Sequence, residues 1–206
     1  RHSSSAASDV YKRQVFNTTT NTLQLNKGDA TTANWVNLTD DVTYSIGDIV
    51  NGGVVFWLDS SGQHGLVVAF SDIATSVEWG CYGNNGQDLL NVPNVSNPPV
   101  GIGAEIGDGF NNTNNILKDC PTAPAALAAR SYGPSWFLPS AKELNQMYIN
   151  KTTLEGVSGF TAFSLFYWSS TEYDYEDAWG ELFDYGDLRN YIKNDVALSL
   201  IHISEP

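Results

Sequence analysis

The segment GGVVFWLDSSGQHGLVVAF, residues 52–70, constrains the fold more than any other. Two runs of β-branched, aromatic and aliphatic side chains, residues 54–58 and 66–70, flank the turn-forming residues DSSGQHG. This pattern predicts a β-hairpin. Both runs are almost continuously apolar, which indicates strands that are buried deeply rather than exposed on one face.

Helical patterns follow this hairpin. In SAKELNQMYIN, Ser140 precedes a run with helical periodicity and Glu143 lies three residues later, which is the capping-box pattern. Leu144, Met147 and Tyr148 form its apolar stripe. Shorter helices are predicted in NNTNNILKDC and APAALAARSYG, and strand patterns return in FSLFYWSST, AWGELF and RNYIK. Strands, two or three short helices and further strands predict an α+β domain with mostly antiparallel sheets.

Five motifs occur in a fixed order between residues 52 and 179: GGVVFWLDSSGQHGLVVA, VEWGCYG, GAEIGDGFNNTNNILKDC, WFLPSAKELNQMY and YWSSTEY followed by AW. Together they resemble a family of bacterial surface domains with a C-type-lectin-like fold. That family is similar to the C-terminal domain of bacterial collagen-like adhesins. More distantly it resembles phage tropism determinants and formylglycine-generating enzymes.

The resemblance implies several further features. It implies that Cys81 and Cys120 pair as a disulfide and that the C-terminal strands and loops carry receptor-binding residues. It also implies a closing strand at the C-terminus, but NDVALSLIHI stands in that place. We expect this segment to imitate a strand without being the family's own closing strand, which would leave a sheet edge unpaired.

Both ends of the chain look foreign to the protein. SSSAASDVYKRQ and LSLIHISEP resemble translated sequencing-adapter read-through, as found at the ends of proteins predicted from metagenomic assemblies. We therefore interpret residues 1–14 and 198–206 as artefacts. Residues 15–43, with strand-like runs at 15–16, 22–25 and 35–38, predict a small β module or stalk linker. Residues 44–197 predict the C-type-lectin-like domain.

Composition excludes some classes of protein. The net charge of -13 argues against nucleic-acid binding, because the phosphates would be repelled. The sequence has no apolar run approaching the ~18 residues of a membrane span. Its two cysteines permit one bridge, and an acidic, asparagine- and threonine-rich chain of this kind is typical of extracellular or cell-surface proteins, where such a bridge persists. A homotrimer is expected by analogy with collagen-like stalks.

The stretch FYWSSTEYDYEDAWGELFDYGDLRNY, residues 166–191, is rich in both tyrosine and acidic side chains. Trp168 and Trp179, like Trp136 before FLP, are predicted core residues. The loops around them offer rigid aromatic contact area beside hydrogen-bonding carboxylates. The predicted ligand-binding residues are Tyr173, Asp174, Tyr175, Glu176, Asp177, Asp184, Tyr185, Asp187, Arg189 and Tyr191. Arg189 is the cation that could reach an acidic ligand group.

The same carboxylates could hold a metal ion. Calcium takes six to eight oxygen ligands, and Glu172, Asp174 and Asp177 could supply several. A solvated acidic loop is the competing interpretation. The EPN and WND signatures of sugar-binding animal lectins are absent from the sequence. A protein without any cofactor is the simpler expectation, and calcium is the possible cofactor of a binding domain.

The sequence gives less support to an enzyme. A copper oxidase of the formylglycine-generating kind needs a reactive cysteine pair in an electropositive setting, whereas this chain is acidic. His64 lies in the predicted hairpin turn, where a turn-capping or solvent-exposed role is the simpler interpretation. A pair of carboxylates could cleave a glycosidic bond, but the sequence does not define the distance between two such groups. GIGAEIGDG lacks the features of a phosphate-binding loop and predicts a flexible loop.

The sequence therefore predicts a non-enzymatic, extracellular binding domain at the tip of a bacterial or phage surface protein. Its partner would be a glycan or a protein receptor on another surface. An enzyme on the same fold and an inert structural cap of a fibre are the alternatives.

Overall fold

The computed structural model describes residues 43–74, 76–82, 87–195, 201 and 203–204, together with the backbone of residues 14–17, 22–26 and 35–37. The chain divides into two compact units, Arg1–Thr43 and Tyr44–Pro206. No helix in the described residues is long and apolar enough to cross a membrane.

The first unit contains a three-stranded antiparallel meander. Its strands are β1 (Gln14–Asn17), β2 (Thr22–Asn26) and β3 (Trp35–Asn37), in the order β1-β2-β3. In the register of these strands, Phe16 lies opposite Leu23 and Leu25 opposite Val36. The strand-like runs of the sequence lie in these three strands, except that residue 38 is outside the described residues.

The second unit combines helices with two antiparallel sheets, as the sequence pattern predicts for an α+β domain. In chain order its elements are β4 (Ile49–Val50), β5 (Gly53–Leu58), β6 (Gly65–Val68), α1 (Asp108–Asp119), α2 (Pro124–Ser131), α3 (Ala141–Ile149), α4 (Lys151–Glu155), β7 (Phe166–Glu172), β8 (Asp177–Leu182), β9 (Asp187–Ile192) and β10 (Ile203–Ser204). The described residues thus hold four helical segments rather than two or three, because α4 follows α3 almost directly.

The predicted hairpin forms the centre of the first sheet, whose strand order is β10-β6-β5-β4. Val54 pairs with Val68 and Leu58 with Gly65, with a register shift after Val55. All four residues of β6 and the first four of β5 are buried. These strands are therefore covered on both faces, which explains their continuous apolar runs.

The outer edge of β6 is paired in this structure. Ile203 lies opposite Val68, and its backbone exchanges two hydrogen bonds with Phe137, of 2.9 and 3.0 Å. Ile201 and Ile203 are both buried in the core. The segment that we expected only to imitate a closing strand thus occupies a strand position beside β6. The foreign origin of residues 198–206 stays a prediction.

The second sheet has the order β7-β8-β9, and its tryptophans are core residues as predicted. The indole N–H of Trp168 donates to the carbonyl of Val77 (2.8 Å), and that of Trp179 donates to the carbonyl of Val95 (2.7 Å). In the opposite direction, the Trp79 indole donates to the carbonyl of Ser169 (2.8 Å). These bonds hold the long segment before α1 against β7 and β8.

The capping box of α3 is confirmed. The Ser140 hydroxyl accepts from the backbone N–H of Glu143, and the Glu143 carboxylate accepts from the backbone N–H of Ser140 (2.6 Å). Leu144 and Met147 are fully buried, while Tyr148 is half-buried. The predicted flexible loop before α1 consists of turns, and the helix begins at Asp108 within it.

The predicted disulfide is present. Cys81 and Cys120 are bonded, with their Cα atoms 6.1 Å apart. The bond joins the end of α1 to the segment that carries Trp79, beside a core cluster that includes Ile116 and Leu138.

Candidate functional site

The hairpin topology separates the predicted binding loops. Residues 173–176 connect β7 to β8, and residues 183–186 connect β8 to β9, so they lie at opposite ends of β8. A six-residue strand spans about 20 Å. The two loops therefore do not form one surface. Recognition by both at once, which the sequence interpretation assumed, would need a ligand that extends along the whole sheet.

The strand register assigns each predicted residue to one end. Tyr191 lies opposite Ala178, beside the loop of residues 173–177, which we call the tyrosine loop. Asp187 lies opposite Leu182, beside Asp184 and Tyr185 at the far end. Arg189 lies opposite Gly180, midway along the strand.

Hydrogen bonds close the tyrosine loop. The Asp174 side chain accepts from the backbone N–H groups of Glu176 and Asp177, both at 2.8 Å. The backbone N–H of Tyr173 donates to the carbonyl of Asp177 (3.0 Å). The Asp177 carboxylate accepts from the Asn190 side-chain amide. Two of the predicted ligand-binding carboxylates thus take part in holding the loop and the neighbouring strand.

A buried lysine anchors the tyrosine loop from the protein interior. The Lys193 ammonium donates to the Glu172 carboxylate, to the carbonyl of Gln87 (2.8 Å) and to the carbonyl of Tyr175 (3.2 Å). Its backbone N–H also donates to the carbonyl of Glu176 (2.9 Å). The side chains of Lys193 and Glu172 are both 0% exposed. The loop backbone is therefore tied to a fixed point in the interior.

The electrostatics of this region follow from burial and from neighbouring charges. Burial raises the pKa of Glu172 to about 7, although the hydrogen bond and charge of Lys193 oppose that rise. The charge of Glu176 raises the pKa of the Tyr175 phenol, and burial, a hydrogen bond to the Glu176 carboxylate and the charge of Asp174 raise it further. The Tyr175 hydroxyl therefore has a carboxylate acceptor beside it.

The tyrosines at this end differ in accessibility. Tyr175 is 49% exposed. The Tyr173 ring packs edge-on against Trp179 with its centroid 5.6 Å away, and the Tyr191 ring packs edge-on against Phe166 at 5.3 Å. Of the three, Tyr175 offers the largest free aromatic face, while Tyr173 and Tyr191 contribute mainly to packing.

The far end of the sheet carries an exposed tyrosine and an exposed ion pair. Tyr185 is 74% exposed. The Arg189 guanidinium donates to the Asp187 carboxylate at 2.7 Å, and both side chains are largely in solvent. An exposed pair of this kind contributes little stability. The Arg189 cation, which we expected to contact an acidic ligand group, is therefore already paired with Asp187.

The carboxylates predicted to bind calcium do not converge. Glu172 points into the interior and contacts Lys193, whereas Asp174 bonds to its own loop. Within the described residues, no group of three His, Cys, Asp or Glu side chains is placed to hold a metal ion. Calcium needs six to eight oxygens. These residues do not fit that requirement, and the geometry gives the calcium prediction no support.

The structure also places the cysteines and the histidine that were considered for enzyme chemistry. Cys81 and Cys120 are bonded to each other and offer no free thiol. His64 is exposed in the turn between β5 and β6, as the sequence interpretation expected.

The sequence interpretation missed Lys193, whose interior position organises the tyrosine loop. A signal existed, because Lys193 is a basic residue that closely follows a strongly acidic segment. Its burial could not be inferred, since lysine is rarely buried unless it is paired.

Comparison with solved structures finds a fimbrial protein from Bacteroides ovatus ATCC 8483, with 13% sequence identity and a TM-score of 0.49. The match covers 93% of this chain and 60% of that chain. No protein-family model matches the sequence, and no curated protein matches it. Identity this low does not transfer function, which resides in sites rather than in folds.

Proposed function

We propose that this protein is a non-enzymatic, extracellular binding domain that contacts a glycan or protein receptor on another surface through its tyrosine loop. The observation that carries the proposal is the exposed ring of Tyr175 on a loop whose backbone is hydrogen-bonded to the buried Lys193. The loop contributes an aromatic face, a phenol donor and the neighbouring Glu176 carboxylate.

A rigid loop is better suited to binding than a flexible one. Association costs free energy whenever a mobile segment must be ordered, and a preorganised segment avoids that cost. Tyrosine adds large contact area with only two side-chain torsions. The turn closed by Asp174 and the anchor at Lys193 support this preorganisation.

A location outside the cell is supported by the Cys81–Cys120 disulfide and by the acidic composition. The order of the five sequence motifs supports a C-type-lectin-like domain at the tip of a bacterial or phage surface protein, where a stalk would permit a homotrimer. The alternative to a binding domain is an inert fibre cap, and the following experiment distinguishes the two.

The test compares Tyr175→Ala with Tyr185→Ala, a matched control at the other end of the sheet. Each purified variant is applied to a printed glycan array and to immobilised mucin, fibronectin and collagen. We expect retention on at least one surface, which Tyr175→Ala abolishes and Tyr185→Ala preserves, with unchanged melting temperatures for both. Retention that survives Tyr175→Ala would refute a role for the loop. No retention by the parent protein would favour the inert cap.

A further inference from the structure

Two cavities share Gly107 in their walls: one lies beside the β5–β6 hairpin, and the other lies between the start of α1 and residues 135–137. Their volumes are about 490 and 320 Å³. Pockets that bind small molecules commonly measure about 300–1,000 Å³. The larger cavity is lined by Trp57, Asp59, His64, Gly65, Leu66 and Ile106, and the smaller by Phe110, Asn111, Ser135 and Phe137. We call the two together the Gly107 groove.

Hydrogen bonds within the protein hold the walls of the groove in place. In the hairpin turn, Asp59 accepts from the backbone N–H of Ser61 (3.0 Å) and its own N–H donates to the carbonyl of His64 (2.9 Å). Across the groove, the backbone N–H of Gly107 donates to the buried Glu143 carboxylate (2.8 Å). A ligand would therefore meet walls that are already formed, which lowers the cost of binding.

Each cavity contains an aromatic side chain. Trp57 is half-buried in the larger cavity, and Phe110 is 39% exposed in the smaller one. Phe110 is also fixed in orientation, because its ring packs edge-on against Phe137 at 5.6 Å and the Arg130 guanidinium lies over it at 4.5 Å.

Hydrogen-bonding side chains accompany the two rings. His64 lies in the larger cavity, and Asn111 and Ser135 lie in the smaller one; all three are exposed. An aromatic face beside amide, hydroxyl and imidazole groups matches the two chemical faces of a sugar ring. Its C–H face packs on an aromatic ring, and its hydroxyl groups both donate and accept hydrogen bonds.

A ligand that spans both cavities meets charges of opposite sign. An anion would be repelled by Asp59 in the larger cavity and by the net charge of -13. A cation would be attracted by Asp59 but repelled at the smaller cavity by the Arg130 guanidinium, which lies 4.5 Å from the centroid of the Phe110 ring. A neutral ligand that spans both cavities meets neither repulsion.

We propose that the Gly107 groove binds a neutral oligosaccharide, with sugar rings packed on Trp57 and Phe110 and their hydroxyl groups bonded by His64, Asn111 and Ser135. No residue that lines this groove belongs to the tyrosine loop. The proposal is therefore independent of the receptor role of Tyr175, and either one can fail alone.

Isothermal titration calorimetry tests the proposal with cellohexaose, xylohexaose, maltohexaose and chitohexaose. A heparin hexasaccharide and hexalysine serve as charged comparisons. We expect at least one neutral hexasaccharide to bind, and Trp57→Ala to weaken that binding about tenfold or more, as expected when aromatic packing is lost. Asn111→Ala and Ser135→Ala should each weaken it severalfold. Tyr175→Ala should leave it unchanged.

The exposed Asn111 and Ser135 keep the test valid if Trp57→Ala does not fold, which thermal melting of each variant will show. Binding of a neutral hexasaccharide that is unaffected by Asn111→Ala and Ser135→Ala would overturn the proposal. So would binding that only Tyr175→Ala removes. Binding of hexalysine or of the heparin hexasaccharide without any neutral sugar would overturn it in favour of an ionic ligand.

Discussion

Lys193 and Glu172 form an ion pair in the interior of the second unit, with both side chains completely shielded from solvent. The pair joins the end of β7 to the residue that follows β9. The carbonyls of Gln87 and Tyr175 complete the acceptors around the ammonium, and the Trp79 ring lies 5.2 Å from it. Lys193, which follows β9, therefore connects the segment at Gln87, the end of β7 and the tyrosine loop.

Replacing this lysine should destabilise the protein strongly. Lys193→Met keeps an unbranched side chain, one atom shorter, but leaves Glu172 as an unpaired acid in the interior and removes the donor to Gln87 and Tyr175. Breaking a buried pair by removing one partner costs about 3–5 kcal/mol. Urea unfolding followed by tryptophan fluorescence should show a loss of free energy of unfolding in this range.

The matched control for Lys193→Met removes both charges. In the double variant Lys193→Met with Glu172→Gln, no ionisable group stays unpaired at the site, so the loss should be smaller than in the single variant. A single variant as stable as the parent protein would contradict the anchoring role of Lys193.

The disulfide should account for a measurable part of the stability. Cys81 and Cys120 are 39 positions apart, and closing a loop of this length contributes about 4 kcal/mol in the chain-entropy model. The variant with both cysteines changed to serine should lose about that much free energy of unfolding. Titration of the unfolded, unreduced parent protein should find no free thiol, and the appearance of two would contradict the bridge.

Features that depend on neighbouring residues were predictable from the sequence. The capping box needs only Ser140 and Glu143, three positions apart, and the structure contains it. The β5–β6 hairpin likewise follows from two apolar runs and a turn. Local patterns of this kind involve no long-range pairing, so one segment contains all the information.

The contacts of Lys193 depend on distant residues and were not predictable. The acceptors of the Lys193 ammonium lie at positions 87, 172 and 175, and nothing in the sequence indicates that these meet. The separation of Tyr175 from Tyr185 is a different case. Three predicted strands joined by short turns already imply that successive loops lie at opposite ends of a sheet, so the signal was available.

A side chain at position 109, where Gly109 lies in α1, should destabilise the protein. A methyl group there would lie 2.3 Å from a carboxylate oxygen of Glu143 and 2.7 Å from the carbonyl of Leu138. Forcing a methyl group into such a contact costs about 1–3 kcal/mol. Gly109→Ala should therefore lower the free energy of unfolding by that amount in urea titrations. Gly156→Ala is the control, because its nearest atoms are 3.4 Å away, and equal losses in both variants would contradict the steric argument.

Glu181 is a fully buried acid on β8, facing α3. One carboxyl oxygen accepts from the Asn145 amide at 2.8 Å, and the other has no hydrogen-bond partner among the residues that the structure describes. Burial raises its pKa from 4.5 to about 7, with a further contribution from the nearby Asp187 charge. The folded protein therefore keeps a proton on Glu181 at pH values where the unfolded chain has lost it.

Stability should consequently fall as the pH rises. The contribution of protonated Glu181 is complete below about pH 4.5, the unfolded pKa, and is lost as the pH rises through about 7, the folded pKa. Glu181→Gln is neutral at every pH, so the free energy of unfolding of the parent protein, minus that of the variant, should decrease by about 2 kcal/mol between pH 5 and pH 8. Urea titrations at both pH values measure this difference, and subtraction cancels the titration of Glu143 and Glu172. A difference that stays constant, or that increases with pH, would show that Glu181 is ionised in the folded protein.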